Sequence, residues 1–222
     1  MRYVPASELL DHDRGTPAEV AASLRDLWWF HRWMGGVQLE RRLWRRLLRR
    51  HPPRRLQVLD VGTGSGELAA ATAAWLAGNG WTVSRMGLDR RPSHLRPGTA
   101  PVVAGDALAL PFRAQSFDVV TCSLFLHHFR GEPARRVLQE MLAAARQAVV
   151  VSDLERAWAP FIAVWLISRL GMSRVTRFDA PASVRQSYTA RELRELAASV
   201  AGAEFEVVRL FPCRLGLILY RT

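Results

Sequence analysis

Short hydrophobic runs alternate with helical repeats along the middle of the chain. The runs are rich in valine and leucine and are bounded by glycine, proline or polar residues, which predicts strands at 57–61, 81–89, 101–104, 117–123 and 147–152. Apolar residues recur at helical spacing in 67–77 and 133–145. Strands separated by helices predict βαβ units, and therefore a mostly parallel sheet covered on both faces.

Helical patterns flank this α/β region. Residues 16–50 repeat leucines at helical spacing, with a break at Gly35-Gly36. The C-terminal part is predicted to hold two helices and then two strands, at 157–170, 189–200, 204–211 and 215–220. The short link between the two strands predicts an antiparallel hairpin. We divide the chain into a helical lid at 1–53 and a domain at 54–222 that has a helical insertion near 155–185.

Composition narrows the class of protein. The 222 residues are enough for one core, and two cysteines exclude a disulfide scaffold or a cysteine-based zinc cage. All 31 basic residues are arginine against 20 acidic ones, a formal charge of +11 that fits nucleic acid, an anionic membrane or a genome-wide codon bias. The N-terminus has no signal-peptide pattern, and the longest apolar run, 157–166, is too short to cross a bilayer. We therefore expect a cytoplasmic protein.

A glycine-rich loop follows the first predicted strand. The stretch 58–67 reads VLDVGTGSGE, so Gly62, Gly64 and Gly66 stand between a strand and a helix, where glycine lets the backbone turn sharply and approach a ligand. Asp89 ends the next strand, where its carboxylate could accept hydrogen bonds from both hydroxyls of a ribose. A dinucleotide is one candidate ligand. Carboxylates at Asp60 and Glu67 disfavour its pyrophosphate and favour the ammonium and sulfonium of S-adenosylmethionine.

These residues resemble the motifs of the class I S-adenosylmethionine-dependent methyltransferases. Residues 58–66 are similar to the first motif, 87–89 to the second, 105–112 to the third and 117–120 to the fourth strand. The resemblance implies a Rossmann-like, seven-stranded sheet whose last strand is antiparallel, and S-adenosylmethionine as cofactor. It implies contacts with methionine, ribose and adenine from ten residues: Asp60, Gly62, Thr63, Gly64, Gly66, Asp89, Arg90, Asp106, Ala107 and Ser123. One departure is that 91–99 holds two prolines where the family usually has a longer helix.

Two histidines follow the fourth predicted strand. His127 and His128 lie at the carboxyl edge of the sheet, where open α/β sheets bind ligands, and Asp153 ends the next strand. A histidine there could remove a proton from a hydroxyl acceptor, and Asp153 could orient it. The arrangement is similar to that of antibiotic-sugar O-methyltransferases. The alternative is that the histidines pack against the cofactor and that Asp153 caps a helix, and the sequence leaves open which histidine faces the site. We expect no metal.

The sequence after the fourth predicted strand limits which type of atom can accept the methyl group. Nitrogen-methylating relatives usually have an Asn/Asp-Pro-Pro-aromatic motif there, whereas residues 122–125 read CSLF, which favours oxygen or carbon acceptors. Cys122 lies on a buried strand and is interpreted as core. Aromatic residues at 28–34 and 158–165 are candidates for the site's walls. Similarity to bacterial relatives implies a hydrophobic small molecule such as a polyketide, quinone or isoprenoid.

Eight arginines cluster at 41–55 around leucines and a tryptophan. They predict either a solvated helix whose leucines dock on the domain or an amphipathic helix on an anionic membrane. A basic methyltransferase-fold module that binds RNA or membrane, including an RNA methyltransferase, is the alternative function. Nucleic acid is the less favoured partner because no RNA-binding module precedes the core. We expect this helix to lie beside the acceptor entrance.

Overall fold

The computed structural model describes residues 1–12, 14–50, 55–95, 100–211 and 213–222. Within them, seven strands form one sheet in the order β3-β2-β1-β4-β5-β7-β6. Their bounds are β1 Arg55–Val61, β2 Thr82–Asp89, β3 Val102–Ala104, β4 Phe117–Ser123, β5 Ala145–Leu154, β6 Ala203–Leu210 and β7 Arg214–Arg221. All pairs from β3 through β5 are parallel, and β7 runs antiparallel to both β5 and β6. The predicted fold, including the terminal hairpin, is confirmed.

Seven α-helices cover the sheet within the described residues. They are α1 Pro17–Trp33, α2 Gly36–Arg50, α3 Glu67–Ala77, α4 Glu132–Ala144, α5 Trp158–Ser168, α6 Arg174–Gln186 and α7 Ala190–Ala198. Central strands such as β4 and β5 are buried almost throughout, as expected for strands with helices on both faces. No helix in the described part of the chain is both long and apolar enough to cross a bilayer.

The arginine-rich helix α2 is docked on the sheet by its leucines. Leu39, Leu43 and Leu47 are fully buried in one core cluster with β1, β5 and β7, while most of the arginines point outward. Arg50 pairs with Glu204 at 3.2 Å, and Glu204 lies opposite Tyr220 in the register of the hairpin. That position is level with the start of β5, at the amino edge of the sheet. The C-terminal end of the arginine-rich segment therefore lies at the edge opposite the predicted acceptor site, contrary to expectation, whereas its start follows Glu40, which lies near Asp60.

Helix α6 was not predicted as a separate element. It begins after Ser173, whose side chain accepts a hydrogen bond from the backbone N–H of Thr176, and it contains Pro181. A proline inside a helix removes one backbone hydrogen bond and normally marks a helix end. For this reason the sequence pattern does not predict α6. The predicted domain boundary at 53 and 54 and the link residue Pro212 lie outside the described residues. So does part of the segment 91–99, which holds two prolines; its residues 92–94 form a short 3-10 helix.

Candidate active site

The glycine loop turns sharply at the end of β1. Gly62, Gly64 and Gly66 all have positive φ, +68°, +52° and +75°. The backbone N–H groups of Gly62 and Thr63 both donate to the carbonyl of Leu88, which ties the loop to the end of β2. A Cβ on Gly62 would lie 2.3 Å from the ring of Phe125. The loop therefore requires glycine at position 62 both for its backbone conformation and for space.

We expect Gly62→Ala to destabilise the fold and weaken cofactor binding. Gly80→Ala is the matched control, because Gly80 also has positive φ, +90°, but nothing lies within 4 Å of an added Cβ. The control should cost about 1–2 kcal/mol from backbone strain alone, and Gly62→Ala roughly 1–3 kcal/mol more from the clash. Urea unfolding of both variants measures the difference. Equal losses would show that the space at Gly62 is unimportant.

Asp89 lies at the end of β2 with its carboxylate facing the loop. Its Oδ2 accepts the backbone N–H of Gly64 at 3.0 Å, and its Oδ1 accepts that of Arg91 at 2.9 Å. His94 Nδ1 is 3.7 Å from Oδ1. Burial raises the pKa of Asp89, but the hydrogen bonds outweigh it, so the pKa falls below its ordinary value. The main lowering cause is His94, followed by the backbone N–H groups of Arg91 and Gly64. A carboxylate has about four acceptor sites, so this ionised group can still accept a hydroxyl donor.

Asp60 lies one strand away, at the end of β1. Its Oδ1 accepts the hydroxyl of Thr121 at 2.9 Å. Burial is the main cause of a raised pKa at Asp60. Nearby Glu40 has its pKa raised to about 8, first by burial and then by Asp60. Glu40 is therefore mostly protonated at neutral pH, and Asp60 is the acidic group that a bound ammonium would hold in its ionised form.

The glycine loop, Asp60 and Asp89 line a cavity of about 350 Å³ at the carboxyl edge. All the predicted cofactor residues line it except Gly64, whose N–H instead holds Asp89. Sequence reasoning missed several other lining residues, among them Leu24, His31 and His94. Burial and Arg214 push the pKa of His31 well below 6.5, so this imidazole is neutral at pH 7. The acidic lining at Asp60 and Asp89 suits a ligand that carries positive charge and hydroxyl groups.

The predicted pairing of His127 with Asp153 is present. His127 Nδ1 lies 2.7 Å from Asp153 Oδ1, and the His127 backbone N–H donates to Asp153 Oδ2 at 3.1 Å. His127 Nε2 lies 3.5 Å from Oε1 of Glu8, a residue that sequence reasoning missed. Glu8 also accepts the hydroxyl of Ser183 at 2.7 Å. His127 is thus enclosed between two buried carboxylates.

This enclosure fixes the charge of His127. Burial lowers its pKa, but Asp153 and then Glu8 outweigh burial and raise it to about 10. The pKa of Glu8 falls to about 2 despite burial, mainly through the charges of His128 and His127. An imidazolium at neutral pH has no free electron pair with which to accept a proton. At neutral pH His127 therefore carries a positive charge, and its role as a base stays a prediction.

His128 lines the large cavity, whereas His127 lines only the small cavity beside it, of about 80 Å³. His128 lines that small cavity as well. Its Nδ1 lies 3.0 Å from Oδ2 of Asp11, in a short helical turn of the N-terminal segment. Burial and the charge of His127 lower the pKa of His128, but Glu8 and Asp11 outweigh them and raise it above 6.5. His128 therefore combines access to the cavity with a carboxylate partner.

Among the described residues, one group of three side chains could in principle hold a metal ion, because their potential ligand atoms all lie within 4.8 Å of one another. The group consists of Glu8, His127 and His128. Both imidazoles already have a carboxylate partner, Asp153 or Asp11. These contacts account for the cluster as paired charges. That the site uses no metal stays a prediction.

We expect stability to fall as pH rises through the folded pKa of His127. Because that pKa is raised from 6.5 to about 10, the stabilisation is complete below pH 6.5 and is lost progressively toward pH 10. His127→Asn should lose about 3–5 kcal/mol at pH 7, since it leaves buried carboxylates unpaired. Urea unfolding from pH 6.5 to 10 should show the wild type converging on the variant. A constant difference would contradict the charged imidazole.

The N-terminal segment contributes to the site through contacts that no sequence motif predicts. Leu9 and Leu10 donate backbone N–H groups to the Asp179 carboxylate at 2.8 and 3.0 Å. This attachment to α6 places Glu8 and Asp11 against the two histidines. Only the acidic character of the segment in a basic chain hints at the role, and that signal is too weak to assign it.

The predicted aromatic walls are only partly present. Trp28 lines the large cavity, and Phe30 and Met34 line the small one. Trp29, Trp33, Trp158 and Trp165 are exposed on the outside. Interpreting those four as walls of the site is wrong, because the helices turn other faces inward. Cys122 is fully buried in the core, as predicted.

Part of the chain is similar in sequence to known methyltransferases. Residues 58–148 match the family described as "Methyltransferase domain". The demethylmenaquinone methyltransferase of Roseiflexus sp. (strain RS-1) is 36% identical over 113 residues, 48% of this chain and 45% of that protein. The one from Beutenbergia cavernae is 38% identical over 135 residues, 56% and 52% of the two chains. The chain spans about half the length of these curated relatives.

Solved structures share the fold over more of the chain. The plantazolicin methyltransferase BamL, in complex with a triazolic desmethylPZN analog and SAH, has a TM-score of 0.66 at 14% identity and covers 92% of this chain and 97% of its own. A SAM-dependent methyltransferase from Aquifex aeolicus has a TM-score of 0.53 at 14% identity, covering 75% and 82%. At these identities the likeness concerns the fold. Together with the sequence match from β1 into β5, it makes the chain similar to the S-adenosylmethionine-dependent methyltransferases in its fold and in its central segment.

Proposed function

We propose that this protein binds S-adenosylmethionine in the large cavity and transfers its methyl group to a hydrophobic aromatic acceptor of the phenol or quinol class. The observation that carries the proposal is His128, paired with Asp11 at 3.0 Å and lining that cavity. The names of the curated relatives support a quinol. Methylation of the hydroxyl and of a neighbouring ring carbon are both compatible with the site.

The lining of the cavity fits this cofactor. Asp60 would face the methionine ammonium, Asp89 can still accept a ribose hydroxyl, and Ala107 offers an apolar surface to the adenine. When bound, S-adenosylmethionine supplies a methyl group on a sulfonium, a good leaving group for in-line displacement. Holding the acceptor in line is then the main task of the protein.

His128 would remove the proton that makes the acceptor a nucleophile. A deprotonated phenol or quinol hydroxyl would attack the methyl carbon through its oxygen or through the ring carbon beside it, and the neutral thioether would leave as the S–CH3 bond breaks. After attack through carbon, loss of that carbon's proton and return of a proton to the oxygen would restore the aromatic ring. The neutral imidazole takes the hydroxyl proton, and Asp11 stabilises the imidazolium that forms. The positive charge of the neighbouring His127 would stabilise the phenolate or quinolate that forms.

The small cavity supports a hydrophobic acceptor. Its walls include Leu27, Phe30, Leu124 and Val164, and it adjoins the large cavity at His128. Its volume of about 80 Å³ is small for an aromatic bicycle. The N-terminal segment that carries Glu8 and Leu10 forms part of the wall, so we infer that this segment shifts to admit the acceptor.

The test uses S-adenosylmethionine with a deuterated methyl group and three acceptors: a short-chain demethylnaphthoquinol kept reduced, a phenolic polyketide and total RNA. Mass spectrometry locates the label. Label on a ring carbon or hydroxyl of either small molecule supports the proposal. Label on RNA alone would overturn it in favour of a nucleic-acid enzyme.

A further inference from the structure

Helix α5 presents an exposed apolar stripe on its outer face. The stripe consists of four residues spaced four apart, the last of which lies just beyond the helix end. They are Trp158, Ile162, Leu166 and Leu170, and their exposed fractions are 62%, 52%, 52% and 79%. Trp165 lies beside them and is also exposed. Soluble proteins seldom expose such a contiguous row, and large patches of this kind mark interaction surfaces.

Two further exposed aromatics border the same region. The inner face of α5 packs in a cluster with Phe30, Met34 and Cys213. Trp33 lies between the first two of these in the chain and is 64% exposed, and Phe211 lies two residues before Cys213 and is 89% exposed. The end of α1 and the segment after β6 therefore adjoin α5, and each presents an exposed aromatic side chain.

The charge around this surface is positive. No acidic residue occurs from Arg156 to Phe178, a stretch that holds four arginines. The flanking carboxylates are engaged: Glu155 pairs with Arg209 at 2.8 Å, and Asp179 accepts the N-terminal backbone. A surface of this kind repels a second copy of itself and attracts an anionic one.

Arginines also stack on two of the exposed tryptophans. The Arg169 guanidinium lies 3.8 Å from the Trp165 ring centre, and that of Arg32 lies 5.5 Å from the Trp33 ring centre. Tryptophan rings favour the level of lipid headgroups, where arginine can contact phosphates. Of the four arginines in the stretch 156–178, Arg156 pairs with Glu192 and Arg174 with Glu19 at 2.8 Å, whereas Arg169 stacks on Trp165. Apolar side chains, tryptophans and arginines together are the features of an interfacial membrane helix.

We propose that α5, with Trp33 and Phe211, is the face by which this protein docks on an anionic lipid bilayer. The opposite side of α5 contributes Val164 to the wall of the small cavity, so docking would bring that cavity to the bilayer. Supply of a lipophilic acceptor from the membrane rests on the proposed function, whereas the docking itself does not. The surface thus differs from the arginine-rich helix α2, whose leucines are buried in the core.

Flotation with phosphatidylcholine vesicles, with and without phosphatidylglycerol, tests the proposal at physiological salt. Wild type should float with the anionic vesicles. The triple variant Trp158→Gln, Ile162→Gln, Leu166→Gln should bind them on the order of a hundredfold more weakly. Arg41→Gln, Arg42→Gln, Arg49→Gln removes three exposed charges from α2 and should float nearly as well as wild type.

Several outcomes would overturn the docking face. They are a wild type that does not float, a triple variant that floats like wild type, and an α2 variant that alone loses binding. A wild-type dimer that the triple variant converts to a monomer, without flotation of either, would assign the stripe to a second copy instead. Turnover of a short-chain soluble acceptor should be unchanged in the triple variant. Failure of the proposed function would instead remove turnover from both proteins and leave flotation intact.

Discussion

Replacing His128 by asparagine is expected to lower kcat by about 10²–10⁴-fold, the usual contribution of a general base. Asparagine can keep a hydrogen bond to Asp11 from nearly the position of Nδ1, but it cannot accept the acceptor's proton. Affinity for S-adenosylmethionine should be nearly unchanged. Single-turnover methyl transfer at saturating cofactor measures the effect.

The neighbouring histidine provides the control. His127→Asn should lose more stability than His128→Asn, because His127 lies between Asp153 and Glu8, and where folded it should keep more of its turnover. A variant at His31, the neutral imidazole in the same cavity, tests the competing base. Native kcat in His128→Asn, with a large loss in His31→Asn, would transfer the role to His31.

The pH profile adds a second readout. Turnover needs neutral His128, so it should rise with pH through a pKa above 6.5. Asp11→Asn removes one of the groups that raise this pKa, so the rise should move to lower pH. A profile that Asp11→Asn leaves in place would separate Asp11 from the base.

Asp89→Asn is expected to weaken S-adenosylmethionine binding by about 10- to 100-fold, because it replaces charge-assisted hydrogen bonds by weaker neutral ones at a total cost of about 1.5–3 kcal/mol. The loss should appear in KM for the cofactor. The kcat at saturating cofactor should change little, because Asp89 would contact the ribose and takes no part in removing the acceptor's proton. Initial rates over a range of cofactor concentrations separate the two constants.

Asp89 also holds the loop through Gly64 and Arg91, so the variant needs a stability check. Glu132→Gln removes a carboxylate at the exposed start of α4 that pairs with Arg135 and does not line the cavity, so it should leave both constants intact. An unchanged KM in a folded Asp89→Asn protein would remove Asp89 from the cofactor site.

The cofactor side of the site could be predicted because it follows from topology. Parallel strands end at one edge of a sheet, so residues at strand ends, such as Asp60, Asp89 and Asp153, must meet there. The same rule brought His127 to Asp153. Their spacing along the chain contained this information before any contact was known.

The acceptor side could not be predicted, because it depends on contacts without a local pattern. Glu8 and Asp11 lie in an irregular segment and reach the histidines only through its attachment to α6 at Asp179. Helix α5 is apolar on all sides, so its sequence does not indicate which face turns inward. For that reason Trp158 and Trp165 were assigned to the site, although they lie outside it.

Calorimetric titration of the wild-type protein with S-adenosylmethionine tests the central claim, that the cavity at the carboxyl edge is the site of this cofactor. We predict saturable binding at one site per chain, retained in His128→Asn and strongly weakened in Asp89→Asn. The absence of saturable binding by the folded wild-type protein, or equal affinity in wild type and Asp89→Asn, would contradict the account.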